Sequence, residues 1–243
     1  MRIRVFSTPG AAARALAGCI ANEISAHPGL VLGLPTGRTP IPLYEELVAL
    51  YREGRADFSR ATAFNLDEFV GIPGRDPRSY GAFMRRHLFD HINLPTGRCH
   101  VLNGMARVAE VECAQYERAI ARAGGLDLVI LGLGANGHIG FNEPGDALVA
   151  RTHRTRLAPS TRRANAALFD HALNRVPREG LSMGMATILH ARHIVVLATG
   201  RAKAGCVAKM IAGPLTPRLP ASFLQLHRHV EVWLDRAAAP RVR

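Results

Sequence analysis

Four apolar runs recur along the chain: LVLGL at 30–34, ATAFNL at 61–66, LDLVIL at 126–131 and HIVVLA at 193–198. Each leads into a polar segment containing glycine, which predicts strands buried on both faces that end in loops. Residues 11–26 place Ala, Leu and Ile at helical spacing, and Pro28 and Gly29 close that helix. Further helices are predicted from near Pro40 with Thr39 as its cap, after Ser79, over 108–123 before Gly124 and Gly125, from Ser160 or Thr161, and around Lys203. A short strand-like piece lies in ARTHRTRL, a short helix in LPASFLQLH, and HVEVWLD alternates as a last strand. Five or so strands separated by helices predict an α/β fold, a doubly wound and mostly parallel sheet with helices on both faces, in a single domain over 1–243.

In such sheets ligands bind past the carboxyl ends of the strands. LDLVIL runs there into GLGANGHIGFNEPGD, residues 132–146, which brings His138 and Glu143 to a turn-rich loop. Asp67 and Glu68 stand at the end of ATAFNL, where they can be functional carboxylates, turn formers or solvated charges. After LVLGL the segment Thr36, Gly37, Arg38, Thr39 meets a helix start, whose unpaired N–H groups and dipole favour a phosphate. This is neither a Walker loop nor a GxGxxG fingerprint, and Arg38 can equally be a solvated surface arginine. HIVVLATGRAKAG repeats the pattern and sets Lys203 in the first helical turn, against the helix dipole unless an anion sits beside it.

Composition narrows the partner. The 31 basic and 19 acidic residues leave a net charge of +12. Almost all the basic residues are arginines scattered along the chain, Lys203 and Lys209 being the lysines, and no nucleic-acid motif accompanies them. Nucleic acid is therefore set aside as partner, while a basic surface still collects small phosphorylated molecules. Cys19, Cys99, Cys113 and Cys206 lack CxxC spacing and read as reduced thiols. The start MRIRVFSTPG lacks a signal-peptide core and no apolar stretch reaches membrane-spanning length, so a cytoplasmic protein without a membrane partner is expected.

Between residues 31 and 227 the chain resembles the glucosamine-6-phosphate deaminase (isomerase) family, relatives of the galactosamine-6-phosphate isomerases and 6-phosphogluconolactonases. The resemblance is carried in order by GLPTGRTPIPLYEEL, FNLDEFVGI with SYGAFM, LGLGANGHIGFNEPG, RTHRTRLAPSTRRAN, LSMGMATILHAR with TGRAKA, and PASFLQLH. It implies a Rossmann-like sheet and conversion of an amino-sugar 6-phosphate and water to the ketose 6-phosphate and ammonia, without metal or redox cofactor. By resemblance His138 assists ring opening, Glu143 orients and polarises it, and Asp67 shuttles the proton between carbons 2 and 1, all acid–base tasks. Thr36, Gly37, Arg38, Thr39 and Lys203 hold the phosphate.

The chain departs from the pattern in two places. Asn136 stands where some relatives carry aspartate; it can orient His138 by a hydrogen bond but adds no full charge. Ala167 stands where deaminases have a phosphate-binding arginine, and Arg163, one helical turn earlier, is the expected substitute. The same absence marks some galactosamine 6-phosphate relatives, so that epimer stays open, as does a homo-oligomer. A lactonase and a non-catalytic sugar-phosphate sensor are the competing readings, and FNEP after GHIG together with NLDEF favours the deaminase. His153 and Thr155 replace the basic residues of allosterically activated relatives and the chain ends at Arg243, so no such activation is expected.

Overall fold

The computed structural model describes residues 1–239. Residues 240–243, the end of the Ala- and Arg-rich tail, lie outside them. The elements in order are β1 (Arg2–Phe6), α1 (Pro9–Ala26), β2 (Val31–Leu34), α2 (Ile41–Arg52), β3 (Thr62–Asn65), β4 (Asp67–Phe69), α3 (Tyr80–His87), β5 (Cys99–His100) and α4 (Ala109–Arg122). They continue as β6 (Leu128–Gly132), β7 (His153–Arg156), α5 (Pro159–Asn165), β8 (Glu179–Ser182), α6 (Met185–Leu189), β9 (His193–Ala198), α7 (Ala204–Ala212) and β10 (Val230–Asp235).

Seven strands form one parallel sheet in the order β1-β10-β9-β6-β2-β3-β5. Alternate side chains of its strands feed two separate cores, because successive residues of a strand point to opposite faces. Leu32, Leu34, Ile130, Val195, Leu197 and Trp233 pack under α1 and α2. Val31, Val129, Leu131, Ile194, Val196 and Val232 pack under α4, α6 and α7. The doubly wound α/β architecture expected from the apolar runs is present.

The strand count was low. β1 is an edge strand exposed over most of its length, so RIRVF lacks the apolar run that marks its partners. β4, β8 and β7 form a second, antiparallel sheet of three short strands. Asp67 and Glu68 therefore do not lie in a loop at the end of β3 but open β4. Thr39 is not the cap of α2: Pro40 holds that position and no side chain caps the helix. Ser79 does cap α3, its Oγ accepting from the Ala82 N–H at 2.9 Å. Residues 220–226 form a 3-10 rather than an α-helix. All four cysteines are unpaired, and no helix of the described residues is long and apolar enough to cross a membrane.

The glycine of LSMGMATILHAR has a packing reason. Segment 149–151 crosses so close to Gly184 that an added Cβ would lie 2.2 Å from the Arg151 carbonyl oxygen and 2.3 Å from that of Ala150. Backbone cannot give way as a flexible side chain can, so Gly184→Ala should destabilise the fold by about 1–3 kcal/mol, read from urea unfolding midpoints. An unchanged midpoint would show that the segment shifts freely.

Candidate active site

A cavity of about 410 Å3 opens at the carboxyl ends of the parallel strands. Its walls include Thr36, Gly37, Arg38 and Thr39 after β2, Asp67 from β4, His138 from the loop after β6, and Thr199 and Lys203 after β9. Segments more than 160 residues apart in sequence are thus drawn to one place by the common direction of the strands.

Part of the wall is a cationic cradle. Gly37 adopts φ +97°, a conformation that favours glycine and turns the chain into α2. No side chain caps that helix, and since Pro40 and Pro42 carry no N–H its first turn offers those of Ile41 and Leu43. Lys203 sits immediately before α7 rather than within its first turn, at the end of a 3-10 turn over Arg201–Lys203. Burial lowers its pKa; the nearby Cys206 thiol opposes that and the Arg38 charge adds to it, with no carboxylate contributing. Two neighbouring cations without an acid make a pocket for an anion. Asp235, buried at the end of β10, fixes the loop by accepting from the Gly200 N–H at 3.0 Å.

Asp67 and His138 line the same cavity. Asp67 is only 6% exposed. Burial first, then the charges of Glu68 and Glu143, push its pKa well above the usual carboxylate range. Glu68, its neighbour, points elsewhere: its carboxylate accepts from the N–H groups of Phe69 at 2.8 Å, Tyr80 at 3.0 Å and Gly81 at 2.9 Å, pinning the start of α3. Burial pushes its pKa up to about 7, against the pull of those bonds and of Arg85. The pinned helix holds Tyr80 in the cavity wall, where its hydroxyl donates to Asn165 at 3.1 Å.

His138 is held through its Nδ1, which lies 3.1 Å from Thr161 Oγ1 and 3.4 Å from Glu143 Oε2. Glu143 in turn accepts from Asn136 Nδ2 at 2.9 Å and from the Ala158 N–H at 3.1 Å. Burial works to raise its pKa, but His138, Thr161 and Asn136 outweigh it and hold the carboxyl below its ordinary value. An ionised Glu143 behind Nδ1 suits an imidazole that must take up and release a proton at its other nitrogen. Asn136 does not touch the ring of His138. Its Oδ1 accepts from the His138 backbone N–H at 3.2 Å, so it ties the loop to Glu143.

The loop and β4 share an anchor in the LSMG segment, to which no role was assigned from the sequence. Ser182, fully buried on β8, pairs with Asp67 across the small sheet. Its Oγ accepts from the Phe141 N–H at 3.1 Å. Asn142 adds a bond to the Met183 carbonyl at 2.8 Å. Asp67 and the His138 loop are therefore mounted on one strand.

Arg163 stands apart. It is exposed and is not among the residues lining the cavity; α5 presents Thr161, Ala164 and Asn165 there instead. Positions two apart on a helix do not share a face, which is why Arg163 points away from the side that Thr161 occupies. Ala167 is exposed as well. Tyr80 and Asn165 line the cavity with no role assigned from the sequence, while Thr161 and Glu68 do more than start a helix or end a strand. Of the first two, only Tyr80 carried a signal, the Ser79 cap immediately before it.

The glucosamine-6-phosphate isomerases/6-phosphogluconolactonase family matches residues 8–233. A glucosamine-6-phosphate deaminase of Clostridium perfringens is 48% identical over 220 residues, covering 90% of each chain. Among solved structures, a monomeric glucosamine-6-phosphate deaminase superposes with a TM-score of 0.96 at 39% identity, over 99% of this chain and all of that one. A 6-phosphogluconolactonase from Leishmania guyanensis reaches a TM-score of 0.77 at 22% identity over 100% of this chain and 98% of that one, a likeness of fold.

Proposed function

The chain belongs to the glucosamine-6-phosphate isomerase/6-phosphogluconolactonase family, and from that premise we propose that its cavity converts glucosamine 6-phosphate and water to fructose 6-phosphate and ammonia. The observation that carries this reading is that one cavity is lined both by a cationic cradle around Arg38 and Lys203 and by Asp67 and His138. The substrate phosphate sits on Thr36, Gly37, Arg38, Thr39 and Lys203. His138, backed by Glu143 and Thr161, passes a proton to the ring oxygen as the sugar opens. Asp67 then takes the proton from carbon 2 and returns it to carbon 1, leaving a ketose imine that water hydrolyses to release ammonia. The likeness to a monomeric glucosamine-6-phosphate deaminase supports a monomer as the working unit.

Ammonia release from glucosamine 6-phosphate and galactosamine 6-phosphate, measured beside consumption of 6-phosphogluconolactone, tests the proposal. Glucosamine 6-phosphate should be the fastest. Faster ammonia release from the galacto sugar would reassign the epimer, and lactone consumption without ammonia from either amino sugar would replace the reading with a lactonase.

The pH profile gives a second check. Asp67 must be ionised to act as a base, and its pKa is raised. The acid limb of kcat/KM should therefore lie above the ordinary carboxylate range, activity being lost as pH falls through it. Glu68→Gln removes a like charge and should move that limb to lower pH. A limb unmoved by Glu68→Gln would mean that this charge does not reach Asp67.

A further inference from the structure

We propose that His193, His229 and Glu231 bind a divalent transition-metal ion of the zinc class, at the end of the sheet away from the cavity. The backbone alone brings these residues together. His193 opens β9 and His229 immediately precedes β10, and the parallel register Val230↔Ile194, Glu231↔Val195 puts the two histidines side by side with Glu231 two residues on. Residues two apart on a strand share a face. One donor atom from each of the three lies within 4.8 Å of the others. The cavity opens beyond the other end of β9, roughly 20 Å away at the usual rise per residue of a strand.

The donor atoms are matched to an ion better than to each other. His193 Nε2 is buried with no hydrogen-bond partner. It faces Glu231 Oε1 at 4.0 Å, too long for an N–H···O bond. Zinc bonds of about 2.0–2.2 Å at a tetrahedral angle set two donors about 3.4 Å apart, so the gap closes by a fraction of an ångström when an ion binds. The second oxygen of Glu231 accepts from Trp233 Nε1 at 2.8 Å and is ion-paired with Arg4 Nε at 2.7 Å, which holds the carboxylate still; Arg4 Nη2 reaches Oε1 at 3.5 Å, the long bond that an ion at Oε1 would displace. Two imidazoles and one carboxylate form a zinc donor set that leaves the fourth position to water. An adjoining pocket of about 340 Å3, bordered by Glu23, His27 and Asp127, gives that water room and the ion a way in. The nearby Arg192 is held by Asp127 at 3.2 Å, which offsets its charge.

The His229 ring is stacked on that of His193, with centroids 3.8 Å apart and 4° between planes. A metal lies in the plane of each imidazole that binds it, and stacked planes do not meet, so binding requires the exposed His229 ring to turn toward Glu231. The ion then clamps the starts of β9 and β10 together.

Chelator-treated full-length protein titrated with zinc chloride in a calorimeter tests the site. One ion per chain should bind with a micromolar dissociation constant. His229→Ala, a change at an exposed side chain, should weaken it by about tenfold or more, as should Glu231→Gln, while His91→Ala leaves it unchanged. Saturating zinc should also raise the melting temperature of the wild type but not of His229→Ala. No saturable binding below millimolar zinc, or wild-type affinity in His229→Ala, would overturn the proposal. The readouts are independent of amino-sugar turnover, so they stand or fall apart from the proposed reaction.

Discussion

Asp67→Asn should lower kcat by about 10²–10⁴-fold, the range expected when a positioned proton-transfer group is removed, while the sugar phosphate still binds. The substitution keeps the shape of the side chain and removes only its capacity to accept a proton. Asp67 contributes no hydrogen bond that anchors the fold, in contrast to Glu68 beside it, and it lies on the cavity wall. Its buried charge is disfavoured by desolvation and by two neighbouring carboxylates. A neutral amide relieves that cost, so thermal stability should hold or rise. Steady-state kinetics together with a melting curve decide the matter. A kcat near that of the wild type would remove Asp67 from the proton shuttle, and loss of folding would show that the carboxylate is structural.

Lys203→Met has the second largest expected effect, on a different constant. Hydrogen bonds to charged groups contribute about 1.5–3 kcal/mol each, so losing the ammonium from the phosphate cradle should raise KM by about 10–100-fold. Because the phosphate does not change during the reaction, that binding is uniform and kcat should stay close to the wild-type value. Inhibition by inorganic phosphate should weaken in parallel. Methionine preserves much of the apolar stem, and no carboxylate contributes to the surroundings of Lys203. The folded state therefore loses no ion pair and should keep its stability. A fall in kcat with KM intact would place Lys203 at the reacting carbons instead of the phosphate.

Much of this molecule is legible from residue order. LVLGL, LDLVIL and HIVVLA are apolar on both faces because helices cover both faces of β2, β6 and β9, and that burial is what the runs record. The loops after those strands had to share one edge of the sheet, since parallel strands end on the same side. Thr36 to Thr39, His138 and Lys203 could be gathered on that ground before any coordinate was known. The edge strand β1 left no such trace: RIRVF carries alternating charge, and only its pairing with β10 makes it a strand.

The site's finer assignments were a matter of three-dimensional packing. Arg163 and Thr161 are both polar residues of one short helix, and their spacing in sequence does not reveal which of them meets the cavity. That follows from how α5 lies against the His138 loop, where Thr161 reaches Nδ1 at 3.1 Å. Asp67 and Glu68 are adjacent acids with the same local preferences. The pleat of β4, set by its antiparallel pairing with β8, sends one to the cavity and the other to the start of α3. The order of residues determined which strand ends and which loops would meet, because hydrophobic burial is written into the chain as a pattern. The side chain that faces the substrate was decided by contacts between segments far apart in sequence, and only the folded structure contains those.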